Sequence, residues 1–168
     1  MNKILTEYEK GWLEAFLDGE GSLSLTFSKQ KTSPRPRIDI RMDFSNTNYE
    51  IIKKAQEICG GGCIVSFDPK DNRKKTFRLS CRSSIIRNIL PQLNLIVKKK
   101  QQSLILEAAG LIEGFGKGSR KGFQGGKMRP LWKDKKFADI KKELNNLNKR
   151  GRIPSPYNLL IDTHIQDV

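Results

Sequence analysis

Lys and Arg number 32 against 18 Asp and Glu, so this chain of 168 residues carries a net charge of +14, with a pI near 9.9. A field of that sign attracts phosphate backbones without specifying their sequence, and a basic ribosomal-type RNA-binding protein fits it as well as a DNA-binding one. The length suits one domain with a proper core plus a tail. No apolar run approaches the ~18 residues that span a bilayer, so no membrane partner is expected. The first residues, MNKILTEYEKGW, carry neither a signal-peptide apolar stretch nor a Ser/Arg-rich transit sequence, and the chain is expected to stay where it is made.

Thr6 and Glu9 have capping-box spacing and predict a helix over 7–18, from which Gly19 and Gly21 release the chain. Residues 22–28 alternate strictly, with Leu23, Leu25 and Phe27 on one face and Ser22, Ser24, Thr26 and Ser28 on the other, the pattern of a half-buried strand. Residues 30–36, holding Pro34 and Pro36, read as a turn or longer loop. A second strand follows, with Ile38, Ile40, Met42 and Phe44 inward and Arg37, Asp39, Arg41 and Asp43 outward. Asn46 and Asn48 are cap residues for a helix through Ile51, Ile52 and Ala55, ended by Gly60, Gly61 and Gly62. A hairpin of strands 63–67 and 76–81 comes next, joined by a polar turn. Ser83 or Ser84 starts a helix that Pro91 kinks or ends, and another helix covers 98–113. Residues 114–129, rich in glycine and basic side chains, read as a flexible loop, either a solvated linker or a phosphate contact. Phe137, Ile140, Leu144 and Leu147 space one further amphipathic helix. The order α-β-β-α-β-β-α-α, with four antiparallel strands and helices on one side, is α+β.

Cys59, Cys63 and Cys81 are odd in number and lack CxxC spacing, and His164 is the only histidine, which argues against zinc and against a histidine base. All three cysteines read as small apolar core residues. Any catalysis then rests on carboxylate, metal and lysine. Residues 13–21, LEAFLDGEG, stand out for that reason. Asp18 and Glu20 fall at a helix C-terminus, where unsatisfied carbonyls make carboxylates unfavourable. A divalent cation held by oxygen ligands is one compensation.

Leu13, Phe16, Leu17, Asp18, Gly19, Glu20 and Gly21 resemble, position for position, the signature of the LAGLIDADG homing endonucleases. The KKKQQS run from Lys98 and LNNLNKRG near residue 150 are similar to later landmarks of the single-motif subgroup. The resemblance covers about residues 5–151, and the domain is expected to span 1–151 with a tail over 152–168. It implies the LAGLIDADG fold, αββαββα, with a saddle-shaped sheet straddling DNA. AAGLIEGFG at 108–116 resembles a second signature by eye, but Phe115 stands where the metal-binding acid belongs. One motif implies one carboxylate site per chain, hence a homodimer with the first helices packed together. Ala15 and Gly19 would allow that approach; Glu14 and Ala15 replace the usual Ala and Gly of the pattern, and Glu14 is expected to face solvent or a basic group.

Further implications of the resemblance concern chemistry. Glu20 and the Gly19 carbonyl would hold Mg²⁺, with Mn²⁺ as a substitute. Lys98 would polarise the water network or stabilise phosphate charge, although Lys99 and Lys100 lie beside it in register. Asn46 would position a metal-bound water if it is not simply a cap, and Lys53 is the nearest match to a further basic residue. Asp18 is expected to be structural. Base readout would come from the outward sheet residues Ser24, Thr26, Ser28, Gln30, Arg37, Asp39, Arg41, Thr76 and Arg78, since arginine pairs with guanine and carboxylates accept from cytosine. The same face read without the resemblance is a wet sheet surface. The implied activity is a double-strand cut at a long pseudo-palindromic DNA site, leaving 3′ overhangs, in the service of intron or intein mobility. The alternatives are an RNA maturase acting on intron RNA, a non-catalytic DNA-binding regulator on the same fold, and an RNA-binding protein of another fold. An organelle genome and a prokaryotic or phage one fit equally as the source.

Overall fold

A computed structural model describes residues 3–30, 33–68, 74–119 and 135–148. Thr6 opens helix α1 (Glu7–Glu20) with the capping box its spacing predicts: its hydroxyl accepts the Glu9 N–H at 3.2 Å, and the Glu9 carboxylate accepts the Thr6 N–H at 2.9 Å. The helix runs two residues further than expected, so Gly19 is helical and Gly21 makes the exit. A Cβ at Gly21 would stand 2.8 Å from the Leu17 Cα, and only glycine lets the chain leave the helix so close to its own last turn.

Gly21 also begins β1 (Gly21–Gln30), which pairs antiparallel with β2 (Ser33–Asn46). Both strands therefore extend into the stretch expected to be a turn. Pro34 and Pro36 are tolerated because β4 (Thr76–Cys81) pairs with β2 only from Met42 onward, so prolines ahead of that point remove no hydrogen bond on the β4 side. Helix α2 (Tyr49–Cys59) ends at Gly60, whose left-handed φ of 71° supplies the expected C-cap. Strand β3 (Cys63–Phe67) pairs antiparallel with β4, giving the sheet order β1-β2-β4-β3. Helices α3 (Ser83–Ile89), α4 (Lys99–Ser119) and α5 (Lys135–Asn148) complete the α+β fold, with Pro91 in the short 3₁₀ turn Leu90–Gln92 that ends α3.

One face of the sheet (Leu23, Leu25, Ile40, Met42, Phe44, Leu79, Cys81) is buried in a single cluster with Leu13 and Leu17 of α1, Ile52 of α2, Ile86 of α3, Ile105 and Ala108 of α4, and Phe137, Ile140 and Leu144 of α5. Burial of large apolar side chains from every helix against one sheet face is what holds the layers together. It also settles the second signature-like stretch, since Ala108 and Ala109 lie in the core and Leu111 and Ile112 pack against it.

Two further expectations need correction. Cys59 and Cys81 are buried, but Cys63 is exposed: it sits on the edge strand in register with Ser80, which puts it on the polar face. The hydrogen bond with the neighbouring Cys59 thiol, and then burial, push the Cys81 thiol far above its usual range, so it stays protonated. Second, residues 114–119 continue α4 instead of opening a loop. Extending a helix already several turns long carries no nucleation cost, which offsets the poor propensity of its glycines. The remainder of the glycine-rich stretch, 120–129, and the tail 152–168 lie outside the described residues.

Gln102 joins α3 to α4. It is only 9% exposed; its side chain accepts the Leu95 N–H at 3.3 Å and donates to the carbonyls of Leu90 at 2.9 Å and Leu93 at 2.7 Å. Gln102→Leu would leave those backbone groups without partners, each unsatisfied group costing about 1–3 kcal/mol. We expect a loss of about 2–4 kcal/mol in urea unfolding, at an unchanged denaturant slope.

Candidate active site and nucleic-acid interface

Helix α1 ends in acids that do different things. Asp18 Oδ2 accepts the N–H groups of Ile96 and Val97 at 2.8 and 3.2 Å, and Oδ1 accepts that of Lys98 at 2.9 Å. One turn earlier, Glu14 Oε1 accepts the Asn94 N–H at 2.6 Å, so Glu14 faces neither solvent alone nor a base. The Lys98 carbonyl accepts the Gln102 N–H, the first backbone bond of α4. Asp18 thus sits at the positive end of α4, and that is the compensation for its place at the negative end of α1. No cation is needed to explain it. Partial burial pushes its carboxyl up, but the three backbone N–H donors and the Lys98 charge outweigh burial and hold it below its ordinary value. In return the Lys98 ammonium donates to the Asp18 carbonyl, a cation closing the end of α1.

Glu20, by contrast, is exposed and makes no hydrogen bond or ion pair among the described residues. The Gly19 carbonyl beside it has no donor within the helix, because the residue four further on, Leu23, is already in β1. Lys98 reaches this corner through Asp18, whereas Lys100 pairs with Glu143 of α5 and Lys99 is exposed. The far end of β2 arrives at the same corner, because Gly21 is paired with Phe44 and Asn46 lies two residues beyond. Asn46 Oδ1 accepts the Asn48 N–H at 2.9 Å, and Asn48 is the residue that caps α2. Lys53 is exposed on α2. Among the described residues no cluster of three potential metal-binding His, Cys, Asp or Glu forms, so one copy offers Glu20 as a lone carboxylate.

The outer surface of α1 is exposed among the described residues. Gly11, Ala15 and Gly19 are exposed at intervals of four, and beyond the adjoining residues and the helix's own backbone nothing lies within 4 Å of where a Cβ would stand on either glycine. Gly11 extends the small-residue spacing that Ala15 and Gly19 show in sequence. Tyr8 borders this surface, its hydroxyl accepting from Lys54 at 2.8 Å.

On the open face of the sheet, the register puts Ser24 across from Arg41 and Thr26 across from Asp39, with the Thr26 hydroxyl donating to the Asp39 carbonyl at 3.3 Å. Ser28 is paired with Arg37, and Gln30 with Ser33, but the side chains of Ser28, Gln30 and Arg37 lie outside those described. Arg78, exposed, donates to Ser45 Oγ at 3.4 Å, and Thr76 lies across from Phe67. The same face carries residues that alternation in single strands did not single out: Ser45, Ser80, whose hydroxyl donates to Asp43 at 2.5 Å, and Cys63, Val65 and Phe67 of β3. Where β4 stops and β2 continues, a notch of about 480 Å³ opens between Asp39, Arg41, Val65 and Arg82.

Asp18 should be legible in stability. Its folded-state carboxyl is depressed, so its contribution is complete above the ordinary 3.8 and disappears as pH falls through the lower folded value. Asp18→Ala is expected to cost about 1–3 kcal/mol near neutral pH, to flatten the acid limb of the stability curve, and to raise amide exchange at Ile96, Val97 and Lys98. Unchanged exchange at those amides would contradict the clamp.

No protein-family model and no curated protein matches the chain in sequence. Solved structures do match its fold. The archaeal intron-encoded homing endonuclease I-Vdi141I, complexed with DNA, superposes with a TM-score of 0.62 at 19% identity over 93% of this chain and 94% of its own. I-CvuI, in complex with the I-CreI target in the presence of Mg, gives 0.57 at 14% identity over 87% of this chain and 85% of its own. The LAGLIDADG homing endonuclease I-SmaMI, bound to cleaved DNA, gives 0.60 at 15% identity over 88% of this chain but only 47% of its own. The chain has the fold of the LAGLIDADG homing endonucleases.

Proposed function

We propose that this protein is a metal-dependent, sequence-specific DNA endonuclease that acts as a homodimer. The observation that carries the reading is the division of labour at the end of α1. Asp18 is consumed by the α4 clamp, while Glu20, two residues on, keeps an exposed carboxylate with no partner among the described residues. The fold match to nearly all of I-Vdi141I but about half of I-SmaMI supports one structural unit per chain.

A cut through both strands needs a carboxylate at each scissile phosphate. A two-fold axis along the α1 surface formed by Gly11, Ala15 and Gly19 would bring a Glu20 from each copy to the centre. The residues fit a hard cation of the magnesium type, which takes few carboxylates and fills its remaining positions with carbonyl, phosphate and water oxygens. Glu20 and the Gly19 carbonyl would hold it, and Mn²⁺ would substitute. When bound, such an ion supplies activation of water and neutralisation of charge on the scissile phosphate and leaving oxygen. Lys98, anchored on the Asp18 carbonyl, adds fixed positive charge at this corner. Asn46 uses its amide oxygen on Asn48, leaving the NH₂ end to orient a water or phosphate. Arg41, Arg78 and Asp39, with Ser24, Thr26 and Thr76, would present donors and acceptors to base edges in the major groove, and the net charge would hold the backbone. Identical subunits call for a pseudo-palindromic site. Hydrolysis on each strand would leave 3′-hydroxyl and 5′-phosphate ends, with short 3′ overhangs as the family resemblance implies, and the resulting double-strand break would serve intron or intein mobility.

Duplexes selected by the protein from a randomised library, then incubated with Mg²⁺, test this directly. Double-strand breaks that stop on chelation are expected, and Glu20→Gln should slow cleavage by at least about a hundredfold while specific binding stays within about twofold. Binding to intron RNA without DNA cleavage would favour the maturase instead. Gly11→Leu tests the dimer. A Cβ at this position meets no neighbouring group within 4 Å and leucine improves helix propensity, so stability should rise by up to about 1 kcal/mol while sedimentation shows weakened association and double-strand cleavage falls. A wild-type monomer that cuts both strands would overturn the shared site.

A further inference from the structure

Strand β3 is out of keeping with the face it belongs to. Cys63, Val65 and Phe67 alternate onto the open face of the sheet, across from Ser80, Arg78 and Thr76, where the neighbouring strands present serine, threonine, aspartate and arginine. Val65 and Phe67 are each 45% exposed. Apolar side chains gain nothing from water on such a face, and on an edge strand they invite aggregation. Their surroundings narrow what can cover them. The Arg78 guanidinium lies 4.8 Å from the centre of the Phe67 ring, Arg41 and Arg82 border the adjoining notch with Asp39 as its one acid, and Lys74 and Lys75, the latter paired with Asp68, are exposed at the end of the hairpin. An apolar strip set among cations suits a polyanion that carries small apolar groups.

The major groove of DNA is such a surface. It admits a two-stranded β-ribbon, which β3 and β4 form, and the apolar group on an unmodified base edge there is the C5-methyl of thymine. Resting on the endonuclease reading above, we infer that Val65 and Phe67 are specificity-determining residues that cover thymine C5-methyl groups in the target site. Arg78, opposite Val65 in register and stacked on Phe67, then addresses an adjacent base pair, so the ribbon reads a thymine next to a base with groove acceptors such as guanine. Hydrogen-bonding residues alone would leave thymine and uracil indistinguishable. This strip separates them.

The test uses full-length protein and duplexes selected from a randomised library in the absence of divalent metal. Each thymine of the selected half-site is replaced singly by deoxyuridine, which keeps every hydrogen bond and lacks only the methyl. Affinity should fall about fourfold at one or two positions per half-site, the fold-change for about 0.8 kcal/mol per buried methyl group. Val65→Ala should bind thymine and uracil alike at one of those positions, and Phe67→Ala should do so at the other. Uniform indifference of the wild type to deoxyuridine, or full sensitivity persisting in both variants, overturns the inference. A changed oligomeric state in Val65→Ala with wild-type thymine preference would make the strip an interface between copies and also overturn it. If the selected duplexes are cleaved but uracil is tolerated everywhere, this inference falls alone; if no duplex is selected, the endonuclease reading falls with it.

Discussion

Two helix ends of opposite polarity meet at one carboxylate. Asp18 closes α1, whose carbonyls repel it, and accepts the N–H groups of Ile96, Val97 and Lys98 in the turn that leads into α4. The Lys98 ammonium completes the exchange by donating to the Asp18 carbonyl. Because α1 runs directly into β1 through Gly21, the clamp fixes three things together: where the sheet starts, where α4 begins, and which lysine faces the corner. Glu20 has its position as a by-product of this arrangement. It is held at the helix end, yet its own carboxylate has no partner among the described residues.

The sheet is organised by a second constraint, the unequal lengths of its strands. β1 and β2 form a long ribbon, whereas β4 pairs with β2 only from Met42 to Asn46 and β3 closes the other edge. The helices bury the centre of one face, with Phe27, Ile38, Ile64 and Phe77 partly covered toward its margins, which leaves the opposite face to present alternating side chains of the strands. Polar contacts on that face join one strand to the next, as between Ser80 and Asp43 or Arg78 and Ser45, so side chains are partly oriented before any partner arrives. Such preorganisation lowers the ordering cost of binding any partner on that face.

Much of this was legible in the residues. Strict alternation in 22–28 and 37–44 gave the inward and outward faces of β1 and β2, because a period of two leaves no other choice once one face is buried. Thr6 with Glu9, Asn48, Gly60 and Pro91 marked helix boundaries by local chemistry that tertiary contacts did not override. Where the reading erred, the cause was non-local. Cys63 looked like core because small apolar residues usually are, but the edge position of β3 and its pairing with Ser80 turned it outward. The ends of β1 and β2 looked like a turn because of two prolines, whose cost vanishes only where a neighbouring strand is missing.

What the sequence determined by itself was periodicity, capping and the two acids at the end of α1, since each depends on residues within a turn or two of one another. Only the tertiary structure decided how those acids divide their roles. Asp18 and Glu20 are two residues apart and chemically alike; the loop that claims Asp18 lies some eighty residues away in the chain, at a separation of 78–80. A carboxylate's partner is set by whatever donor packing brings to it, and no local pattern carries that information.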